Sequence, residues 1–358
     1  MLILKLLDCQ MPLFFDSSHS MALSDLQQPL PCHDDVWAAA SCEEWRSLYL
    51  LHHGTAPVPN IHVMLRDLGS QRSVSPAIGD LARLILTYAV YITTWELRQQ
   101  SRNELLSDIS NQQSMHEWQS TARHGLEDLM PKTTGPQDPL GLRTSLTAHV
   151  HHVSLLLHCP LNDLLAFIGF QVGHQEKHDA QESLACGSKK TRAAQLAGPY
   201  IMLACSLLSS RSNPSRGFHE PFALPIAAVT IWAFNQLSSY MSSAIVRNHS
   251  GIELFPTVRL DKLRNMGAAD SWIENGGMMR GHLTDVGNIS APGASRILLQ
   301  VACRTLLTME TWTLSQGLQK CCPHSVILRA ILPDILKEQS ALFSPLRLRR
   351  GVSGRTLW

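Results

Sequence analysis

Residues 78–97 read IGDLARLILTYAVYITTWEL. Ile78, Leu81, Ile85, Tyr88, Ile92 and Trp95 recur at steps of three and four. That spacing stacks side chains along one face of an α-helix. Asp80, Arg83, Thr87 and Thr94 fall on the opposite side, while Leu84 and Val90 widen the apolar stripe. The pattern predicts a helix buried on more than one side. Its uncharged apolar core, Leu84–Trp95, is shorter than the ~20 residues that a bilayer span requires.

The same period recurs further along the chain. In residues 294–316, Leu298, Val301, Ala302, Leu306, Met309 and Trp312 share one wide arc, and Arg296, Arg304 and Glu310 lie outside it. Pro292-Gly293 is a plausible entry to this helix. Further helices are expected near 42–52, 108–130, 143–158, 160–170, 174–186, 189–210, 221–243 and 259–275. Period-two alternation is nearly absent and aromatic residues make up only 6% of the chain. The expected class is therefore all-α: many helices around one large apolar core, with loop-rich connections.

Glycine and proline punctuate this pattern. Gly54, Pro57, Pro59 and Pro76 break residues 54–76, PKTTGPQDPLG at 131–141 reads as a loop, and SRSNPSRG at 210–217 reads as a polar connector. Pro199 falls inside an apolar run that it should kink or split, and Pro225 falls inside another helix. The tail at 344–358 is basic and short on apolar periodicity, and is expected to be frayed.

Composition excludes several classes. The chain has 358 residues, is 44% hydrophobic and is 16% charged, against a usual charged share of about 25%. Lys+Arg 30 against Asp+Glu 29 gives a net charge of +1, which is not the basic excess of a free-standing nucleic-acid-binding domain. The nine cysteines, Cys9, Cys32, Cys42, Cys159, Cys186, Cys205, Cys303, Cys321 and Cys322, are thinly spread and odd in number. They are expected to be reduced, mostly buried thiols of an intracellular protein. The opening MLILKLLDCQMPLFF has Asp8 inside its apolar run and no small-residue cleavage site, so it reads as the end of a buried helix. Without an export signal, the sequons at Asn248 and Asn288 carry no weight.

Residue chemistry points to few sites. His174 and His178 are spaced to share a helical face and a metal ion. A zincin helix needs a glutamate directly after the first histidine as general base. Gln175 stands there, and Glu176 points to another face. An all-α metal enzyme using His174 and His178 is therefore the weakest of the functional readings, and a solvated face is the expectation. His149, His151, His152 and His158 interleave with Val150, Val153 and Leu155–Leu157, as hydrogen-bonded histidines at a core edge do. No C-x2-C pair occurs, and Cys32-His33 and Cys321-Cys322 with His324 lack a partner pair, so no structural zinc finger is expected. CGSKKT at 186–191 lacks the first glycine of a phosphate loop, and no G-x-S-x-G elbow is present. No catalytic residue, cofactor site or metal site is assigned. LRLRR at 346–350, with Arg355 beyond it, reads as a solvated basic tail.

Four longer stretches carry a family likeness. They are LQQPLPCHDDVWAAASCEEWR at 26–46, HVSLLLHCPLNDLLAFIGFQV at 152–172, RGFHEPFALPIAAVTIWAF at 216–234, and 272–317, which begins WIENGG and contains DVGNISAPGAS. In this order they resemble the C-terminal regulatory region of fungal zinc-finger transcription factors of the two-Cys, two-His type. That region is the fungal-specific transcription factor domain, also called the middle homology or xylanolytic-activator regulatory domain. The signature positions are Leu30, Pro31, Cys32, Trp37, Trp45, Pro160, Leu161, Pro221, Trp232, Trp272, Gly287, Pro292, Gly293 and Trp312. The likeness spans most of the chain and is weakest over 54–142. Residues 1–53 would then be the C-terminal remnant of the regulatory domain, 54–142 a variable helical region, and 143–343 the helical C-terminal regulatory region.

The resemblance implies nuclear control of RNA polymerase II transcription. The family's DNA-reading fingers are absent from these residues, so zinc and DNA would be bound only through a module upstream. The expected partners are other transcription regulators or a second subunit, with no membrane. The alternative implied is a finger-less regulator that dimerises or competes.

Overall fold

The computed structural model describes residues 8–25, 27–54, 58–70, 78–102, 109–131, 142–169, 172–185, 192–194, 196, 198, 220–245, 256–262 and 266–308. In chain order the helices are α1 (Gln10–Phe15), α2 (Asp34–Ala38), α3 (Cys42–His53), α4 (Ile61–Gly69), α5 (Asp80–Arg102) and α6 (Ile109–Leu129). They continue with α7 (Leu142–His158), α8 (Leu161–Phe167), α9 (His174–Ala185), α10 (Glu220–Ile245), α11 (Met266–Asn275) and α12 (Ala294–Thr308). Among the described residues there are also three short strands: β1 (Thr257–Arg259), β2 (Arg280–Leu283) and β3 (Gly287–Asn288). Helix accounts for 74% of the described residues, which settles the class as all-α. No helix among the described residues is long and apolar enough to cross a membrane.

The stretch at 78–97 forms the centre of the molecule. Helix α5 packs against α4, α6 and α7, and Leu86, Tyr88, Tyr91 and Ile92 are almost wholly buried. The face expected to be polar is also inside: Arg83, Thr87 and Thr94 are buried, whereas Leu81 and Trp95 are only partly covered. Each buried polar group has a local answer. Thr87 and Thr94 donate to the carbonyls of Arg83 and Val90, each at 2.8 Å. Arg83 Nη1 donates to Asp128 O at 3.0 Å, at the end of α6. A buried cation is tolerated there because the last helical carbonyls are unpaired and carry the negative end of the helix dipole.

Helix α1 is held onto α5 by polar contacts at its C-terminus. Asp16, in the left-handed conformation with φ 49°, caps α1. Its carboxylate accepts from Trp95 Nε1 at 2.5 Å and from the Asn162 amide. Tyr91 OH donates to Pro12 O at 3.1 Å. Cys9 and Leu13 are buried, and residues 1–7 of the opening apolar run lie outside the described residues.

Helices α8 and α9 form a hairpin turned by Gly169 at φ 80°, with Pro160 in the N-cap position and Leu161, Leu164 and Phe167 facing the core. Pro225 lies inside α10 and does not end it. Helix α10 then links two hydrophobic clusters. Its Ala223, Leu224 and Ile226 join the main core, while Ile231 packs with Leu260, Trp272, Leu283, Ile289 and Leu298. Trp232 touches both clusters, with its ring 5.8 Å from that of Phe167.

Two local expectations need correction. Residues 54–76 are not simply a break, because α4 lies within them. Asn60 caps it by accepting from Val63 N–H at 2.9 Å, and Ile61, Met64 and Leu68 are buried. The surrounding prolines and glycines masked that three-and-four spacing. Residues 259–275 are not one helix either. Thr257–Arg259 pairs parallel with Arg280–His282, and β3 pairs antiparallel with β2. Gly281 makes this sheet possible, since a Cβ there would lie 2.9 Å from Ile289 Cδ1 and from Leu260 Cδ1. The strands are too short for alternation to register. The loops at 132–141 and 210–217, most of 189–210, Trp312, Cys321, Cys322 and the tail 344–358 lie outside the described residues.

Candidate functional site

The signature positions divide into packing roles, turn roles and exposed side chains. Leu30 is buried, and its N–H donates to Pro59 O at 3.0 Å, which ties the 27–33 segment to the entry of α4. Leu161 and Trp272 are core residues. Gly287 and Gly293 adopt φ 85° and 82°, a conformation that other residues rarely take. Pro292 is exposed beside Gly293. Pro221 occupies the first turn of α10. Trp37 and Trp45 stand out, at 70% and 45% exposed.

Those two tryptophans sit on the α2–α3 unit. Ser41 caps α3 by accepting from Glu44 N–H at 3.1 Å, and the Glu44 carboxylate reaches back to Ala40 N–H at 2.8 Å. This reciprocal arrangement is a variant of the capping box. Helix α3 buries none of its residues. Its Leu50 and Leu51 are 54% and 76% exposed, and Trp45 stacks on Tyr49 at 5.3 Å. Four large apolar side chains thus project from one small unit.

The base of the unit is polar. His33 Nδ1 lies 3.3 Å from Asp35 Oδ2, and His52 Nε2 lies 3.4 Å from the same oxygen. The His33 and His52 rings stack at 3.8 Å, inclined by 8°. His33 N–H points to His53 Nε2 at 3.4 Å. Burial holds the His33 imidazole below its ordinary range, and the neighbouring His52 adds to this. Burial likewise pushes the Cys32 thiol up. A sequence search for paired thiolates does not find this group. Only the fold closes the gap between residues 33 and 52.

The sequence-expected histidine pair is placed differently. His174 and His178 are exposed on α9, and His178 faces Glu182 at 3.9 Å. Glu176 accepts from Gly173 N–H at 2.7 Å and so caps the helix start, while Gln175 donates to Asp179 at 2.7 Å. The 149–158 histidines do lie at a core edge: His149 and His152 are buried, and His149 Nδ1–H donates to Ser145 O at 2.8 Å.

A small cleft lies where α5, α7, α8, α9 and α10 meet, lined in part by Arg98, Cys159, Asp163, Ser183 and Thr230. Its polar groups are occupied within the protein: Arg98 donates to Leu157 O at 2.7 Å and Ser183 donates to Asp163 at 2.9 Å. Burial pushes the Cys159 thiol up to about 12, which keeps it protonated and unreactive near neutral pH.

The chain is similar to a fungal transcription factor. It is 25% identical over 308 residues to a Gibberella fujikuroi protein named "Transcription factor", a match covering 86% of this chain and 37% of that protein. The chain therefore spans little more than a third of that relative's length. No family model matches, and no solved structure matches. The matched length is too great to rest on a single helix or motif, so the likeness extends over most of the described fold.

Proposed function

We propose that this chain is the regulatory, non-DNA-reading portion of a fungal transcription factor, acting in the nucleus on RNA polymerase II transcription through protein–protein contacts. The observation that carries this reading is the 308-residue similarity to the Gibberella fujikuroi transcription factor. The exposed Trp37, Trp45, Leu50 and Leu51 support the contact mechanism, because tryptophan is enriched at the energetic centres of protein interfaces. The chain is read as non-enzymatic, in line with the relative's name. The near-zero net charge agrees with a role that leaves DNA reading to another module.

The test is to fuse the full chain to an unrelated DNA-binding domain and measure a reporter carrying that domain's sites in a fungal host. A reporter output that departs from the DNA-binding domain alone, in either direction, supports the reading. An unchanged reporter, together with tight and salt-sensitive DNA binding by the isolated chain, overturns it.

A further inference from the structure

Helices α2 and α3 form a unit with almost no core of its own. Val36 is the sole buried residue of α2, and α3 has none. A twelve-residue helix is marginal in water without packing, so its position depends on what holds its ends. At its C-terminal end His52 meets His33 and Asp35 from the start of α2. One ligand atom from each of the three lies within 4.8 Å of the others.

The separations suit a metal ion. Asp35 Oδ2 lies 3.3 Å from His33 Nδ1 and 3.4 Å from His52 Nε2. Ligands bound at about 2.0–2.1 Å around a tetrahedral ion stand about 3.3 Å apart. His52 Nε2 is shielded from solvent and makes no hydrogen bond. The Asp35 side chain is 62% exposed, which leaves room for a water ligand on its outer side.

We propose that His33, Asp35 and His52 form a binding site for a divalent first-row transition ion, Zn2+ in the first place, that pins α2 to α3. Two imidazoles and one carboxylate are borderline ligands that suit zinc. The ion would supply the tie that the missing core does not, in the way small metal sites contribute folding energy. The proposal stands apart from the transcriptional reading and does not need it.

Metal uptake also carries a geometric consequence. An imidazole lone pair lies in the plane of its ring, so two rings inclined by 8° cannot both aim at one ion. Binding must open the His33–His52 stack while the nitrogens stay close. The bond that His33 Nδ1 gives up in doing so, from Asp35 N–H at 3.4 Å, is long and weak.

The experiment uses the full chain, stripped of metal with a chelator and titrated with Zn2+ by calorimetry and with Co2+ by visible absorption. The expected result is about one equivalent of Zn2+ that His52→Ala abolishes, with a four-coordinate Co2+ spectrum lost in the same variant. His52→Phe retains an aromatic partner for His33 but no ligand, and guards against a folding artefact: it too should lose that equivalent. Chymotrypsin should cut the wild-type chain near Trp45 and Tyr49 more slowly with Zn2+ than without, and the His52→Phe chain at the same rate in both. His174→Ala and His178→Ala should keep the bound ion. Zn2+ binding unchanged in His52→Phe, or no Zn2+ taken up by the wild-type chain, overturns the proposal.

Discussion

The Asp34 carboxylate occupies the space that a side chain at Gly79 would need. It accepts from Asp80 N–H at 2.5 Å and from Leu81 N–H at 3.4 Å, so a residue of α2 caps the central helix α5. A Cβ at position 79 would lie 2.6 Å from Asp34 Oδ2 and 2.7 Å from Asp34 N. Because one of those atoms is backbone, α2 itself would have to move. Gly79→Ala is therefore expected to cost about 2–3 kcal/mol, the upper part of the overpacking range. Asp34→Ala should cost about 1 kcal/mol, the worth of a typical cap. The double variant should cost less than the two summed, since removing the carboxylate relieves part of the clash. Urea unfolding of the four proteins checks this, and a Gly79→Ala midpoint equal to wild type would refute the close approach.

Arg83 serves the opposite end of another helix. Its guanidinium reaches Ile78 O at 3.4 Å, Asp128 O at 3.0 Å and Leu129 O at 3.5 Å. Arg83→Met keeps the aliphatic stem and leaves buried carbonyls without donors, at an expected cost of about 2–3 kcal/mol. Arg83→Lys should fall between, because an ammonium cannot reproduce the planar fork. Hydrogen exchange at the last turn of α6 should rise in Arg83→Met more than exchange across the rest of α5. Uniform exchange across both helices would place the effect elsewhere.

Arg83 also marks the limit of what periodicity shows. The apolar spacing of 78–97 gave the helix and its multi-sided burial, but it put Arg83, Thr87 and Thr94 opposite the apolar stripe without saying what they meet there. Side-chain type alone does not say that a helix end 45 residues away supplies carbonyls for a guanidinium. The same holds at the base of α3. His33 appears in the sequence only beside Cys32 as half of a zinc pair without a partner, and only the turn between α2 and α3 brings it to Asp35 and His52. In contrast, His174 and His178 have a metal pair's spacing on an exposed helix whose first-turn glutamate is used as a cap. The short strands escaped notice for a physical reason as well: their pairing depends on Gly281 admitting Ile289 and Leu260, which is a property of absent atoms.

Thr94 connects two helices through one hydroxyl. It donates to Val90 O at 2.8 Å and accepts from Trp118 Nε1–H at 2.8 Å. Thr94→Val is close in shape but strands the indole N–H. The expected cost is about 1–2 kcal/mol, because an unmade buried hydrogen bond costs more than a made one contributes. Adding Trp118→Phe should recover much of the hydrogen-bond part, as both partners are then apolar. Strict additivity of the two substitutions in thermal unfolding would disprove the coupling.

His149 and His152 make stability depend on pH. Burial pushes His149 down to about 4 against the pull of its Ser145 bond, and pushes His152 down to about 3 with His149 adding to the effect. The unfolded chain takes up protons at these positions below the ordinary imidazole value near 6.5, while the folded chain takes them up only nearer those lowered values. Their contribution is thus whole above about pH 6.5 and is lost as pH falls toward 4 and then 3, with a slope approaching about 1.4 kcal/mol per pH unit for each. Replacing His152 by leucine removes one titrating site without leaving a cavity. Between about pH 7.5 and about pH 5, the wild-type chain should lose about 2 kcal/mol more than His152→Leu. Urea midpoints at the two pH values measure this difference. Equal pH slopes for wild type and His152→Leu would show that His152 titrates normally in the folded chain.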